Sequence, residues 1–239
     1  MCEAMTRPDT DDRVHTRTIA VQPREITEAA FRALYAAGAD PIEAQEGALA
    51  VLRAEHDDHG GFRLLEQLLD ADWISPGRPG LITDTSRTGV TVRELEPVGQ
   101  PALRTALQLF DLAVAVPAGE VGVARAPLTR VPRTLLNDLV LRHTARLQRR
   151  IVVATTGTDA AEFLVVRHGA LEVTGTMPGD PGTLPPPSIA PDGVSVIAVS
   201  GPAGAAAGTT DLAPRPLDVD ENHWRAMHQV AKTYLVVDA

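Results

Sequence analysis

The residues with the greatest capacity for chemistry lie in one tract, His56-Asp57-Asp58-His59-Gly60-Gly61-Phe62-Arg63-Leu64. His59 could exchange a proton near neutral pH. Arg63 could hold a substrate carboxylate through two parallel hydrogen bonds. The tract falls between two predicted helices, where side chains can converge on a pocket. The alternative is a solvated connector in which Asp57 or Asp58 caps the following helix, and spacing alone favours this plainer interpretation.

A metal site built on His56 and His59 with a neighbouring carboxylate is less favoured. The two histidines are three residues apart. That spacing places them on one helical face only if the helix persists, and Gly60-Gly61 predicts that it ends. We therefore predict no metal ion here.

The remaining histidines and serines carry no clear chemical pattern. His223 and His228 fall on the last predicted helix, five residues apart, which is not a same-face spacing. We expect them to be surface or hydrogen-bonded core residues. Ser86 and Ser195 have no neighbouring base in the sequence, so nothing supports a serine nucleophile.

Sequence patterns for phosphate binding or for a Schiff-base lysine are weak. The run Gly201-Pro202-Ala203-Gly204-Ala205-Ala206-Ala207-Gly208 follows a predicted strand, but it lacks the G-x-G-x-x-G spacing. No amphipathic helix follows it, so a flexible loop is the better interpretation. Lys232 is the only lysine. There is consequently no G-x-x-x-x-G-K-[ST] loop, and a Schiff-base enzyme would have to use Lys232.

Composition narrows the class of protein. The chain has 239 residues and a formal net charge of −9, which argues against a nucleic-acid partner because like charges repel at long range. Cys2 is the only cysteine, so an intramolecular disulfide and a cysteine-rich zinc site are excluded. Neither a signal-peptide apolar segment nor a membrane-spanning apolar run is visible. These features predict a cytoplasmic protein that does not bind membranes.

A helical module is predicted over about residues 24–76. Its strongest start signal is Asp40 as N-cap, with Pro41 in the first turn and Glu43 placed for a capping box. Gly38 is expected to end the preceding helix. Apolar periodicity predicts three helices, at about 26–37, 41–55 and 62–71.

A mixed α/β body is predicted over about residues 80–239. Helices are expected at about 102–115, 132–148 and 220–232. Strands are expected at about 15–21, 81–98 (two strands), 122–126, 151–154, 163–167, 171–174, 194–200 and 234–237. Residues 1–17 are predicted to be a disordered polar tail, and the Pro/Gly-rich residues 177–193 a loop. The fold class is therefore α/β, a single domain over 18–239 with the helical module packed on the mixed body.

The order of features from Arg24 to Pro76 resembles the opening of the malate/L-lactate dehydrogenase family, the sulfolactate-type oxidoreductases with a non-Rossmann fold. That family carries D-S-H-G-x-x-R-L after its second helix, then a leucine-rich helix and G-x-I-x-P. The matching residues are Asp57, His59, Gly60, Arg63 and Leu64, followed by Leu65–Leu69 and Trp73-Ile74-Ser75-Pro76. The match covers about a fifth of the chain.

The resemblance implies roles for individual residues. His59 falls on the motif histidine, which would move a proton, and Arg63 falls on the arginine that would anchor the substrate carboxylate. Asp58 replaces the family serine, and a carboxylate beside His59 would stabilise the imidazolium. His56 is a further candidate for substrate binding. The family also implies NAD(P), a small 2-oxo, 2-imino or 2-hydroxy carboxylic acid as substrate, and a homodimer.

Two departures keep other functions open. The family carries a mid-chain histidine that donates a proton to the substrate. The stretch that best corresponds to it in this sequence is 128–133, which contains no histidine. The chain is also shorter than those dehydrogenases, and Ala231-Lys232-Thr233-Tyr234 resembles a short, uncharacterised branch of the family. An NAD(P)-dependent reductase is favoured. A lyase, isomerase or cyclase on the same scaffold and a catalytically inactive binding subunit are the alternatives.

Overall fold

The computed structural model describes eleven stretches of the chain, namely 17–74, 81–87, 89–96, 99–117, 119–127, 131–147, 149–156, 161–167, 169–176, 193–202 and 215–232. Within them lie six helices and nine strands, arranged as a helical module beside a seven-stranded sheet. This is the mixed α/β class that the sequence predicts. None of the helices in these stretches is long and apolar enough to cross a bilayer.

The helical module is built from both ends of the described chain. Its elements are β1 (Thr18–Val21), α1 (Pro23–Ala37), α2 (Pro41–Asp58), α3 (Gly61–Leu69), β9 (Leu217–Asp220) and α6 (Glu221–Ala231). β1 and β9 pair in antiparallel fashion, which brings α6 against α1. The predicted capping box is confirmed: Asp40 Oδ1 accepts hydrogen bonds from the N–H groups of Ile42 and Glu43, and Glu43 accepts one from the Asp40 N–H. Gly38 ends α1 with φ 112°.

The body is one mixed sheet in the order β2-β3-β4-β8-β5-β6-β7. Only the β3–β4 pair is parallel among the paired strands described. The strands and the two helices of the body are β2 (Leu81–Arg87), β3 (Val90–Glu96), α4 (Ala102–Val114), β4 (Val121–Ala126), α5 (Arg133–Leu147), β5 (Arg149–Thr156), β6 (Ala161–Arg167), β7 (Ala170–Thr174) and β8 (Val194–Pro202).

The sheet presents two apolar faces because its strands alternate side chains. On one face, residues such as Ala124, Val153 and Val196 join a core with the helices. On the other face, residues such as Val152, Val165 and Ile197 form a second cluster. α4 and α5 cover the first face, and α2 packs on α5 from the outside. The module is therefore attached to the sheet through α4 and α5.

Charged side chains join α2 to α5 around the buried Asp138 carboxylate. Arg142 on α5 donates to Glu46 on α2 and to Asp138, whose Oδ2 lies 2.7 Å from Arg142 Nε. Arg53 on α2 faces the same Asp138 carboxylate at 3.9 Å. Burial raises the pKa of Asp138, and the two guanidinium groups oppose that rise. Because unpaired buried charges are costly, these pairs define how α2 sits on α5.

Several expected boundaries differ from the structure. α2 continues to Asp58, so the prediction that the tract from His56 breaks the helix is wrong by one turn. His59 ends it, in a left-handed conformation with φ 56° and ψ 29°, and its N–H bonds to the Glu55 carbonyl. β9 was not expected, because a four-residue strand gains its stability from the tertiary pairing with β1. Residues 1–16 of the predicted tail 1–17, most of the 177–193 loop, and the strand at 234–237 lie outside the described residues.

A close approach between α4 and β4 requires glycine at position 122. A Cβ there would overlap the backbone carbonyl oxygen of Ala113. We predict that Gly122→Ala lowers the free energy of unfolding by about 3 kcal/mol or more, because neither backbone can yield without moving α4 off the sheet. Urea unfolding measures the loss. Gly175→Ala is the control, since a Cβ at Gly175 meets no atom within 4 Å, and equal losses in both variants would contradict the prediction.

His143 makes stability pH-dependent. Its ring packs on Phe110 at 4.7 Å, and its buried Nδ1 has no hydrogen-bond partner in the part of the chain that the structure describes. Burial lowers the pKa of His143 to about 4, and Arg142 and Arg146 add to the effect while Glu46 opposes it. The unfolded chain takes up a proton near pH 6.5, whereas the folded chain does so only near pH 4. Stability should therefore fall by about 3 kcal/mol as the pH decreases between these values, and then level off.

The check is urea unfolding of wild type and His143→Gln across that pH range. We expect a flatter pH profile for the variant, whatever its absolute stability. Replacement of an exposed histidine in His228→Gln should leave the wild-type slope intact. A His143→Gln profile as steep as that of wild type would assign the acid sensitivity to other groups.

Candidate active site at the α2–α3 turn

The turn between α2 and α3 places His59 and Arg63 close together in the chain and leaves both side chains exposed. His59 directly follows the last residue of α2, and 72% of its side chain is accessible. It is the only non-glycine residue with positive φ in the described stretches. A left-handed non-glycine residue costs of the order of 1 kcal/mol, so the surrounding contacts must hold it there.

A buried carboxylate, Glu55, supplies one of those contacts. Its side chain is only 5% exposed, and Oε2 accepts a hydrogen bond of 2.9 Å from the Gly61 N–H at the start of α3. Oε1 lies 3.8 Å from His59 Nδ1. That separation exceeds a hydrogen bond but forms an ion pair when the imidazole is protonated. Glu55 thus links the end of α2, the start of α3 and the candidate catalytic imidazole.

The two neighbouring predicted residues have other partners. Asp58 Oδ1 accepts a 3.0 Å hydrogen bond from the Gly60 N–H, and His56 Nδ1 lies 2.9 Å from Asp57 Oδ1. The carboxylate that the structure places beside His59 is Glu55. The roles predicted for Asp58 as a modulator of His59 and for His56 in substrate binding stay predictions. Across the described ranges, no three His, Cys, Asp or Glu side chains are grouped so as to hold a metal ion.

Arg63 lies in the first turn of α3, exposed to solvent. Within the described part of the chain, its guanidinium forms no ion pair or hydrogen bond, so its donors are available to a ligand. Phe62, the preceding residue, stacks on the ring of His223 from α6 with centroids 5.0 Å apart. This contact places the start of α6 beside the turn.

Sequence reasoning missed Glu55 and His223. Glu55 precedes His59 by four residues, a spacing that brings side chains together on a helix. That signal was hidden because α2 was expected to end at Glu55. Nothing in the local sequence links His223 to Phe62, since the contact depends on the pairing of β1 with β9.

At four helix starts, a carboxylate already takes part of the N–H donor set that a dinucleotide pyrophosphate would use. Such a group would need free N–H donors at a helix start. Carboxylates already accept hydrogen bonds from backbone N–H groups at or beside the starts of α1, α2, α3 and α6, through Glu25, Asp40, Glu55 and Asp220 respectively. Of the glycine-rich run, residues 203–208 lie outside the described residues. No nicotinamide-binding residue is assigned here.

Comparison with known proteins gives a distant structural likeness. No protein-family model and no curated protein matches the sequence. A malate dehydrogenase from Entamoeba histolytica has a TM-score of 0.44 at 13% identity, over 62% of this chain and 44% of that one. A dehydrogenase from Sinorhizobium meliloti has a TM-score of 0.47 at 14% identity, over 91% of this chain and 95% of that one.

A third solved structure, a sulfolactate dehydrogenase from Methanocaldococcus jannaschii, has a TM-score of 0.39 at 12% identity, over 62% of this chain and 47% of that one. This chain thus spans less than half the length of two of the three proteins. Their substrates, cofactors and assemblies are properties of those proteins.

Gly60 and Gly61, which are adjacent at the α2–α3 turn, allow a matched comparison of two alanine variants. A Cβ on Gly61 would lie 2.6 Å from the Val51 carbonyl oxygen and 2.8 Å from the Glu55 Cβ, whereas a Cβ on Gly60 would meet only the Asp58 carboxylate. We predict that Gly61→Ala lowers the free energy of unfolding by about 2 to 3 kcal/mol, because backbone atoms must move. Gly60→Ala should cost about 1 kcal/mol or less, since an exposed side chain can rotate away. Denaturant unfolding that ranks the two variants in the opposite order would refute this geometry.

Proposed function

We propose that this chain is an enzyme of small-molecule metabolism that acts on a small 2-oxo, 2-imino or 2-hydroxy carboxylic acid at the α2–α3 turn. In its finer form, the proposal is an NAD(P)-dependent reductase or dehydrogenase working as a homodimer. The observation that carries the proposal is an exposed Arg63 guanidinium, which pairs with no side chain in the described stretches. It follows by four residues an exposed His59 whose imidazole faces the buried Glu55 carboxylate. The motif resemblance supports the substrate class and the cofactor.

Arg63 would bind the carboxylate of the substrate. A guanidinium offers two parallel N–H donors that match a carboxylate in charge and geometry. Because no described side chain competes for these donors, the interaction requires no internal ion pair to break. Because Arg63 follows His59 by only four residues, a substrate held by Arg63 would have its reacting carbon near that histidine.

His59 would give a proton to, or take one from, the oxygen or nitrogen at the reacting carbon. The Glu55 carboxylate faces Nδ1, which leaves Nε2 as the nitrogen that can reach a substrate. Glu55 is a positioning residue here, because its other oxygen is held by the Gly61 N–H. When bound, a reduced nicotinamide would supply the hydride that a reduction requires.

The test begins with thermal unfolding of wild type and Arg63→Gln in NADH and NADPH, followed by turnover with 2-oxo acids and cyclic 2-imino acids. We expect a cofactor-dependent rise in the melting temperature of both proteins, because a ligand that binds only the folded state stabilises it. In turnover, His59→Gln should lower kcat by about 100-fold through loss of proton transfer. Arg63→Gln should chiefly raise KM.

Controls separate these effects from general damage. Arg63→Lys retains the charge without the paired donors and should recover part of the affinity. Arg24→Gln removes an exposed cation from α1 and should behave as wild type. If carboxylic acids raise the melting temperature but millimolar cofactor does not, the proposed redox function is wrong, and lyase, isomerase or cyclase chemistry takes its place. Indifference to every acid and cofactor would leave a non-catalytic binding subunit.

A further inference from the structure

A concave site lies between α1 and α6, apart from the α2–α3 turn. This α1–α6 groove has a volume of about 340 Å³ and is lined by Glu25, Glu28, Ala29, Arg32, His228, Ala231 and Lys232. That volume is in the range of small-molecule pockets. His228 and Lys232 lie at the end of α6, whereas His223, which contacts Phe62, lies at its start. At 1.5 Å per residue, His223 and Lys232 are about 13 Å apart along the helix.

Three basic side chains enter the groove from two helices, and their donors are largely unused. Arg32 approaches Glu28 only to 3.7 Å, longer than a hydrogen bond. Lys232 Nζ has no hydrogen bond or ion pair with any residue the structure describes. The ring of His228 packs edge-on against Trp224, with centroids 4.7 Å apart.

The acidic side chains of the groove are better satisfied than the basic ones. Glu28 Oε1 accepts a 2.6 Å hydrogen bond from Arg24, which does not line the groove. Glu25 Oε2 accepts one of 2.9 Å from the Gln22 N–H at the start of α1. Each carboxylate thus has one oxygen engaged by a group outside the groove, whereas Arg32 and Lys232 leave free donors along it, although the protein as a whole is acidic.

We propose that the α1–α6 groove binds a small-molecule anion through Arg32 and Lys232, with His228 as a third donor. The ligand carries a phosphate or a carboxylate group. Arg32 matches either group with paired donors, and Lys232 adds a point charge from the other wall. The site is independent of the function proposed for Arg63 and His59, because it shares no residue with it.

The single lysine gives this site a selective reporter. Reductive methylation with isotope-labelled formaldehyde would place NMR-visible methyl groups only on Lys232 and the α-amino group, without removing their charge. The Lys232→Arg variant lacks the lysine signal, so the signal that it retains belongs to the α-amino group. We would titrate the full-length methylated protein with inorganic phosphate and with succinate, each against sodium chloride at matched ionic strength, and measure affinity of the unmodified chain by calorimetry.

We expect a saturable movement of the Lys232 methyl signal with phosphate, succinate or both, and none with chloride. Whichever anion acts identifies the ligand group. Arg32→Gln should weaken the affinity by about ten-fold or more, the effect of losing one charge-assisted hydrogen bond. Arg225→Gln removes a cation from α6 that pairs with Glu221 outside the groove, so its affinity should stay within about two-fold of wild type.

Two results would overturn the site. One is the absence of saturable movement with either anion. The other is equal weakening by Arg32→Gln and Arg225→Gln, which would indicate a general effect of net charge rather than a specific site. Arg63→Gln distinguishes this site from the proposed active site, since it should leave the Lys232 titration unchanged even if the enzymatic proposal fails.

Discussion

Partly buried ion pairs on α2 are the constraint on which the arrangement of the helices depends. Glu43 accepts from Arg104 on α4, with Arg104 Nη2 at 2.8 Å, and Glu46 accepts from Arg142 on α5. Charges removed from water are tolerated only when paired with good geometry, so each pair permits one placement of α2. Gly47 on the same helix leaves room for the side chains of Leu34 and Leu103. A Cβ at position 47 would lie 2.6 Å from a Leu34 methyl group and 2.8 Å from a Leu103 methyl group. One helix is thus positioned against α1, α4 and α5 together.

The candidate active site inherits its geometry from this placement. Glu55 lies near the end of α2, and its carboxylate is committed to the Gly61 N–H, so α3 can start in only one direction. His59 is held left-handed between the two helices, and Arg63 follows in the first turn of α3. Functional side chains on a turn gain precision when buried groups on rigid elements support that turn. Here the buried Glu55 supplies the support, and His59 and Arg63 remain open to solvent.

The two proposed sites use opposite ends of α6. Its first turn packs His223 on Phe62 beside the α2–α3 turn, and its last turn contributes His228 and Lys232 to the α1–α6 groove. The β1–β9 pair anchors this helix, with Val21 opposite Leu217 and Thr18 opposite Asp220. The short β1–β9 pairing therefore brings α6 both to the α2–α3 turn and to the α1–α6 groove.

The sequence by itself determined the local features whose causes are local. The capping box at Asp40 and Glu43, the end of α1 at Gly38 and the apolar periods of α4 and α5 follow from neighbouring residues. The motif from Asp57 to Leu64 likewise indicated where to look for chemistry. Only the tertiary structure decided that Glu55 faces His59, that His223 reaches Phe62, and that Lys232 shares a groove with Arg32. These contacts join residues through helix packing and strand pairing, and the energy that selects them comes from burial and charge pairing across the fold, which no local spacing encodes.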